Sequence, residues 1–127
     1  MTGKVVDASA IVALLFNELK RDEVVTRLQG VTLHAPSLIT FEVANACLKK
    51  IRAAPAEREA LLSAFSFLDE LWIALEPVDL DEAIVLAEQA KLSLYDASYL
   101  WLARALGLEL VTLDDRLARA DEALRRP

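Results

Sequence analysis

The chain has 127 residues, of which 55% are hydrophobic and 27% are charged, a balance that fits one compact domain over residues 1–127 and excludes an intrinsically disordered chain. Three glycines and four prolines are too few for the many tight turns of an all-β barrel. The formal net charge of −6 is the wrong sign for a protein that holds nucleic acid on a basic face, and one cysteine with one histidine excludes structural zinc.

Short apolar strands alternate with longer helical segments along the whole chain. β-branched or apolar runs predict strands, and apolar residues at helical spacing predict helices. In chain order the expected elements are a strand at 5–6, helices at 10–17 and 22–29, a strand at 32–35, helices at 37–52 and 56–71, a strand at 72–78, helices at 79–91 and 93–106, a strand at 108–112 and a helix from 115. This alternation predicts an α/β fold with a parallel sheet between two helix layers.

Polar residues that suit helix starts precede several of these helices. Ser9 fits as the N-cap of the first helix. Asp79 with Glu82, and Ser93 with Asp96, have the three-residue spacing of a capping box, in which each side chain bonds the other residue's backbone N–H. We therefore expect Asp96 to lie in the first turn of its helix.

Two aspartates closely follow predicted strands. Asp7 comes after the first strand, and Asp114 comes two residues after Thr112, which ends the last strand. Ligands of parallel α/β sheets collect outside the carboxyl ends of the strands. Each aspartate alone fits equally well as a turn residue or a helix cap, but together they indicate a site.

A polar stripe lies on the helix that follows the second strand. Glu42, Asn45, Lys49 and Arg52 are spaced three, four and three residues apart, which places them on one helix face. Such a stripe is more often a solvated face than a site. The alternative is that its N-terminal end, at Glu42, faces the cleft.

Four short segments carry these acids in a fixed order. They read VVDAS over 5–9, TFEVAN over 40–45, LYDASY over 94–99 and VTLD over 111–114. This succession closely resembles a PIN domain over nearly the whole chain, and the length and spacing are similar to the VapC ribonuclease toxins of bacterial and archaeal toxin–antitoxin pairs. The resemblance implies a three-layer α/β/α sandwich with a short parallel sheet, and a metal-dependent ribonuclease that leaves a 5′-phosphate and a 3′-hydroxyl.

The same resemblance assigns the acidic site to Asp7, Glu42, Asp96 and Asp114. Asp7 and Asp96 are expected as direct metal ligands, whereas Glu42 and Asp114 act through water or at a second metal position, one of them helping to deprotonate the attacking water. Converging carboxylates repel one another and need a counter-charge, and oxygen ligands without Cys or His favour Mg²⁺, with Mn²⁺ as an alternative. Asp115 is a neighbouring carboxylate that would share or take the role of Asp114.

Several polar residues are expected to support this site. Ser9 and Thr112 carry hydroxyls that suit the orientation of metal-bound water, although Ser9 fits a capping role equally well. Asn45 is a further supporting residue. Lys49 and Arg52 are weaker candidates for contacts with RNA phosphates.

The expected partners follow from the resemblance and from the apolar helices. RNA is the substrate, and a small VapB-like antitoxin is the inhibitor, filling the acidic cleft with an arginine or another basic group; direct binding to DNA is not expected without that antitoxin. Helices around 43–48 and 61–71 supply more apolar surface than one small core absorbs, which predicts a homodimer. The alternative function is a catalytically silent PIN-like binding module.

Membrane association is not expected. The longest uninterrupted apolar run, Ala10 to Phe16, is far shorter than the roughly 20 residues of a membrane span. No apolar signal-peptide core precedes Asp7. The sequence therefore predicts a cytoplasmic protein.

Other conspicuous residues have structural explanations. His34 is expected to be structural, and Cys47 is expected to be a buried small side chain. Four aromatic residues with apolar neighbours are expected to pack in the core or between subunits rather than to stack on bases: Trp72, Tyr95, Tyr99 and Trp101.

Overall fold

The sheet is built around a short β-branched run near the N-terminus. In the computed structural model, which describes residues 2–126, Val5 and Val6 are completely buried in strand β1 (Gly3–Val6). β1 pairs in parallel with β2 (Thr32–Pro36) on one side and with β4 (Glu109–Val111) on the other, and β3 (Ala74–Glu76) pairs in parallel with β2. The described range thus contains one parallel sheet with the strand order β3-β2-β1-β4.

Seven α-helices connect and follow these strands within residues 2–126. They are α1 (Ala8–Leu15) and α2 (Arg21–Leu28) before β2, α3 (Leu38–Ala53) and α4 (Arg58–Ser66) before β3, α5 (Leu80–Ala90) and α6 (Leu94–Leu106) before β4, and α7 (Asp115–Arg125) after it.

The strand order places the helices in two layers. The chain steps from β1 to β2 to β3 in one direction and then returns past β1 to β4. Because crossovers between parallel strands are right-handed, the helices of the first two steps lie on one face of the sheet and those of the return step lie on the other. Accordingly α1 packs on α2 and α3, whereas α6 packs on α5 and on three of the strands. The predicted three-layer α/β/α sandwich is confirmed.

The reversal of strand order creates a crevice beside β1. The chain leaves the neighbouring strands β1 and β4 toward different helix layers, so the backbone diverges beyond their carboxyl ends. The register pairs Val6 with Val111, the last residues of the two strands. Asp7 and Thr112, the residues that follow them, are therefore neighbours at the carboxyl edge of the sheet.

The connection from α4 to β3 differs from the sequence prediction. Instead of one helix over 56–71, a 3-10 turn at Pro55–Glu57 leads into α4, and the helix tightens again to 3-10 geometry at Phe67–Leu71. Trp72 then adopts a left-handed conformation with φ of 52°, and β3 begins only at Ala74. Apolar spacing did not reveal these tight ends because a 3-10 turn continues the helical pattern of side chains.

The aromatic residues divide between core and surface. Tyr99 is buried and Trp101 half-buried in α6, as expected, but Trp72 and Tyr95 are 85% and 60% exposed. The prediction of core packing is therefore wrong for Trp72 and Tyr95. Trp72 lies at the surface turn after the 3-10 segment, and Tyr95 lies on the exposed side of the first turn of α6. Packing between subunits stays a prediction for both.

The expectations for His34 and Cys47 agree with the structure. Cys47 is buried, and His34 places its Nδ1 3.5 Å from a carboxylate oxygen of Glu76 on the neighbouring strand. The Nε2 of His34 lies 3.3 Å from the hydroxyl of Thr32. Among residues 2–126, the longest helices are too short or too polar to traverse a bilayer.

Helix α6 supplies a direct test of the core. Leu100 is fully buried, whereas Leu106, at the end of the same helix, is 40% exposed. Leu100→Ala is expected to lower the free energy of unfolding by about 2–5 kcal/mol, because it leaves a cavity beneath the sheet, and Leu106→Ala by less than about 1 kcal/mol. Urea unfolding at one fixed protein concentration measures both; equal losses would contradict this packing of α6.

Candidate functional site

Asp7 is held in place by several donors at the junction of β1 and α1. It is the N-cap of α1, and its side chain is 5% exposed. Its Oδ1 accepts hydrogen bonds from the Ser9 hydroxyl at 2.6 Å and from the Ala10 backbone N–H at 3.3 Å, while Oδ2 accepts one from the Thr112 hydroxyl at 2.8 Å. Both carboxylate oxygens therefore have a donor, which fixes the orientation of this side chain.

The two hydroxyls also tie the end of β4 to the start of α1. The Leu113 backbone N–H donates to Ser9 Oγ at 2.9 Å, and the Asp114 backbone N–H donates to Thr112 Oγ1 at 3.0 Å. Ser9 lies inside α1, so the expectation that it caps this helix is wrong: Asp7 caps the helix because its carboxylate reaches the Ala10 N–H. Ser9 and Thr112 act on Asp7 directly, and a contact with metal-bound water stays a prediction.

Asp114 is placed by the start of the last helix. It is the N-cap of α7, and its Oδ1 accepts hydrogen bonds from the backbone N–H groups of Arg116 at 2.9 Å and Leu117 at 3.3 Å. The neighbouring Asp115 lies one residue further, within the helix, and is exposed. Burial raises the pKa of the carboxyl group of Asp7 against the lowering effect of its hydrogen bonds, and the negative charge of Asp114 raises it further. The geometry therefore favours Asp114 over Asp115 as the fourth acid.

Asp96 lies in the first turn of α6, as the capping pattern predicts. Its backbone N–H donates to the Ser93 hydroxyl at 3.0 Å. Burial raises the pKa of its carboxyl group, and the charge of Asp114 raises it further, against the lowering effects of Ser93 and Arg116. The other expected capping box shows the same single bond, from the Glu82 N–H to Asp79, while the Glu82 carboxylate accepts from the Trp101 indole at 2.9 Å.

Glu42 meets a buried phenol that the sequence did not single out for the site. The Tyr99 hydroxyl donates to Glu42 Oε1 at 2.5 Å. Burial raises the pKa of Glu42, and the charge of Asp96 adds to this, although the bond from Tyr99 lowers it. The pKa of Tyr99 is strongly raised, first by burial and then by its bond to Glu42. The available signal was that a tyrosine within a buried helix needs a hydrogen-bond partner.

The four acids therefore form a chain of mutual repulsion at the carboxyl edge of the sheet. Asp114 acts on Asp7 and on Asp96, and Asp96 acts on Glu42. Within residues 2–126, no three or more Asp, Glu, His or Cys side chains are already gathered closely enough to hold a metal ion. The donors are oxygens only, which suits a hard cation such as Mg²⁺, and Mg²⁺ commonly takes one or two carboxylates and completes its coordination with water and phosphate.

An open groove of about 450 Å³ runs along α3 and is lined by one of the four acids, Glu42. Glu42, Asn45 and Lys49 line it together with Ser9, whereas Arg52, the last residue of the polar stripe, is not among the lining residues. Glu18 also lines the groove and forms an ion pair with Lys50. The remaining lining residues are small or apolar: Ala8, Val12, Ala46 and Leu113.

Comparison with known proteins assigns a family to this geometry. The family model described as the PIN domain matches residues 4–123. The chain is 34% identical to Ribonuclease VapC3 of Pyrobaculum aerophilum, with 97% of this chain and 98% of that protein covered, and 32% identical to Ribonuclease VapC12 of Mycobacterium tuberculosis, with 91% and 90% covered. The crystal structure of PAE2754 from Pyrobaculum aerophilum aligns with a TM-score of 0.77 and 29% identity, covering 97% of this chain and 92% of that one. The chain belongs to the PIN domain family.

Proposed function

We propose that this protein is a ribonuclease that depends on Mg²⁺ or Mn²⁺ and acts as the toxin of a type II toxin–antitoxin pair. The observation that carries the proposal is that four carboxylates of a PIN-type fold, Asp7, Glu42, Asp96 and Asp114, lie near enough for the charge of one to raise the pKa of the next, in addition to the effect of burial. Relatives that match nearly the whole chain are named VapC ribonucleases, which supports RNA as the substrate and a VapB-like antitoxin as a partner.

The proposed roles of the acids follow from their surroundings. Asp7 and Asp96 hold the cation, since the orientation of Asp7 is fixed by three donors and Asp96 faces the charge of Asp114. When bound, the cation supplies positive charge beside the phosphate and lowers the pKa of a water molecule. Glu42 would contact the cation through water and accept the proton of the attacking water, because its raised pKa makes it a better base than an ordinary carboxylate. Asp114 orients that water.

The groove along α3 is the proposed path of the RNA strand. Lys49 and Asn45 line it next to Glu42, so an ammonium group and an amide face the nucleotides beside the scissile phosphate. The net charge of −6 does not oppose this path, because a cation bound among the acids reverses the local field that a phosphate meets.

The assembly is proposed from exposed apolar surface. Large side chains near the helices that the sequence singled out stay accessible within the chain: Phe41, Leu48, Leu62, Phe67 and Trp72. Surface of this kind suits a second copy of the chain and a VapB-like antitoxin with an arginine in the acidic cleft. The homodimer, the cytoplasmic location and the lack of direct DNA binding without antitoxin remain proposals.

A catalytically silent PIN-like binding module is the second candidate. The observation in its favour is that, across residues 2–126, the acids are not yet gathered around a common point as a metal site requires. Such a module would bind RNA or a protein partner without cutting. The cleavage assay below separates the two candidates.

Removing any of the four acids is expected to abolish cleavage. Asp7→Asn, Glu42→Gln, Asp96→Asn and Asp114→Asn should each lower kcat on single-stranded RNA by about 100-fold or more, because each removes a charge that holds or serves the cation. Asp115→Asn is the matched control and should stay within about twofold. A chelator should stop RNA cleavage by the parent protein, and added Mg²⁺ should restore it. Cleavage that survives both the chelator and all four substitutions would refute the mechanism.

Burial of the acids, together with the repulsion among them, predicts an unusual pH dependence of stability. The pKa values of Asp7, Glu42 and Asp96 are raised in the folded chain, so the folded chain binds protons more readily than the unfolded one. Their contribution to stability is present at low pH and is lost as pH rises from the ordinary values of 3.8 for Asp and 4.5 for Glu through the raised values. Without metal, Asp96→Asn should therefore be more stable than the parent at pH 7. This difference in stability should become smaller as the pH falls toward 4.

Thermal unfolding with and without Mg²⁺ measures this effect. Mg²⁺ at 100 times its dissociation constant should stabilise the parent by about 2.7 kcal/mol and Asp96→Asn by much less. Asp115→Asn should respond as the parent does. A variant that gains no stability without metal, or that gains as much from Mg²⁺ as the parent, would contradict the proposed metal site.

The groove predicts different roles for two basic side chains of α3, Lys49 and Arg52. Lys49→Ala should raise KM for RNA about threefold to tenfold and reduce the salt dependence of binding by roughly one phosphate contact, while kcat stays near the parent value. Arg52→Ala, one turn further and outside the groove, should change KM by less than twofold. Steady-state cleavage at several salt concentrations tests both, and the opposite ranking would place the RNA elsewhere.

A further inference from the structure

Tyr99 connects the two helix layers of the fold through a hydrogen bond to Glu42, one of the four acids. Its side chain is 1% exposed on α6, and its hydroxyl donates at 2.5 Å to Oε1 of Glu42, a residue of α3 that is 57 positions away in the chain. α6 packs on β1 and β2, and the Tyr99 hydroxyl forms its hydrogen bond with a carboxylate of α3, a helix of the other layer.

Packing alone does not account for the hydroxyl of Tyr99. A phenylalanine would fill nearly the same volume among the buried residues of α6, and a buried phenol without an acceptor is costly. Here the acceptor is a half-buried carboxylate of the site, and the bond is the short, charge-assisted type. The phenol O–H can donate one hydrogen bond, and it donates that bond to Oε1 of Glu42.

We propose that Tyr99 is a positioning residue that fixes Oε1 of Glu42 and leaves Oε2 to face the cleft. The inference rests on the proposed function, in which Glu42 serves the cation and the attacking water. Asp7 is held by Ser9 and Thr112, and Asp114 by two backbone N–H groups. Tyr99 is the corresponding support for Glu42, and it rigidifies a side chain that otherwise has three rotatable bonds.

The first test removes only the hydroxyl. Tyr99→Phe is expected to keep a parent-like circular dichroism spectrum, to bind Mn²⁺ about 10-fold or more weakly by calorimetry, and to lose a similar factor in kcat, while KM for RNA stays within about twofold. Tyr95→Phe is the matched control: the same change on the same helix, at an exposed phenol one turn earlier, should leave all three quantities at the parent values.

A double substitution tests whether Tyr99 acts through Glu42. In a Glu42→Ala background, adding Tyr99→Phe should weaken Mn²⁺ binding by less than twofold further, because the carboxylate it positions is gone. Additive losses would mean that Tyr99 supports the core in general, and would overturn the proposal. So would parent-like Mn²⁺ affinity and kcat in Tyr99→Phe.

A spectroscopic measurement keeps the proposal testable if Tyr99→Phe fails to fold. The chain has two tyrosines, so in Tyr95→Phe protein the only site for biosynthetic 3-fluorotyrosine is Tyr99. Its ¹⁹F resonance should shift on titration with Mg²⁺, with the midpoint that calorimetry gives, and Glu42→Ala should abolish the shift. A resonance that ignores Mg²⁺ while calorimetry reports binding would overturn the proposal.

The same experiments separate this inference from the proposed function. If Glu42→Ala loses metal binding and cleavage while Tyr99→Phe keeps both, the positioning role fails and the function stands. If the parent binds no divalent cation and cuts no RNA, the function fails and the positioning role falls with it.

Discussion

The constraint on which the rest of the site depends is the repulsion among four carboxylates at one edge of the sheet. The fold opposes it by placing a hydrogen-bond donor or the positive end of a helix dipole beside each acid. Asp7 and Asp114 cap helices, so their carboxylates accept hydrogen bonds from backbone N–H groups. Asp96 lies in the first turn of α6, near the positive end of that helix dipole. Glu42, in the first turns of α3, relies instead on the phenol of Tyr99.

The apolar core stabilises the folded chain, whereas the charged acids at the carboxyl edge of the sheet destabilise it. Val5, Val6 and Val111 are fully buried, and the apolar contacts of α6 and the strands outweigh the unfavourable charges at their carboxyl ends. Burial is the main reason that the pKa values of Asp7, Glu42 and Asp96 are raised, and repulsion between the carboxylates adds to it. A parallel sheet suits this division, because the same strands that build the core end together and deliver their following residues to one crevice.

The sequence was most informative where a residue's role follows from its position in an element. Asp7 and Asp114 could be found because they follow strands, and Asp96 because Ser93 caps its helix. The cap of α1 was misassigned because Asp7 and Ser9 are both good capping residues, and only the backbone decides that the helix begins at Ala8. The hydrogen bond between Tyr99 and Glu42 could not be predicted, since no local sequence pattern relates residues that are 57 positions apart.

The same physics explains how an acidic protein can hold a polyanion. Without a cation, the cleft repels phosphate. The cationic groups near it include Arg116, whose charge acts on Asp96, and Lys49, which lines the groove. Lys50 is already paired with Glu18. In the proposed function, cation binding and RNA binding would be coupled, because each supplies the charge that the other needs. The apparent affinity for RNA should rise with Mg²⁺ concentration even when cleavage is blocked by a substrate that lacks a scissile phosphate. A protein whose RNA affinity ignores Mg²⁺ must bind the strand away from these carboxylates.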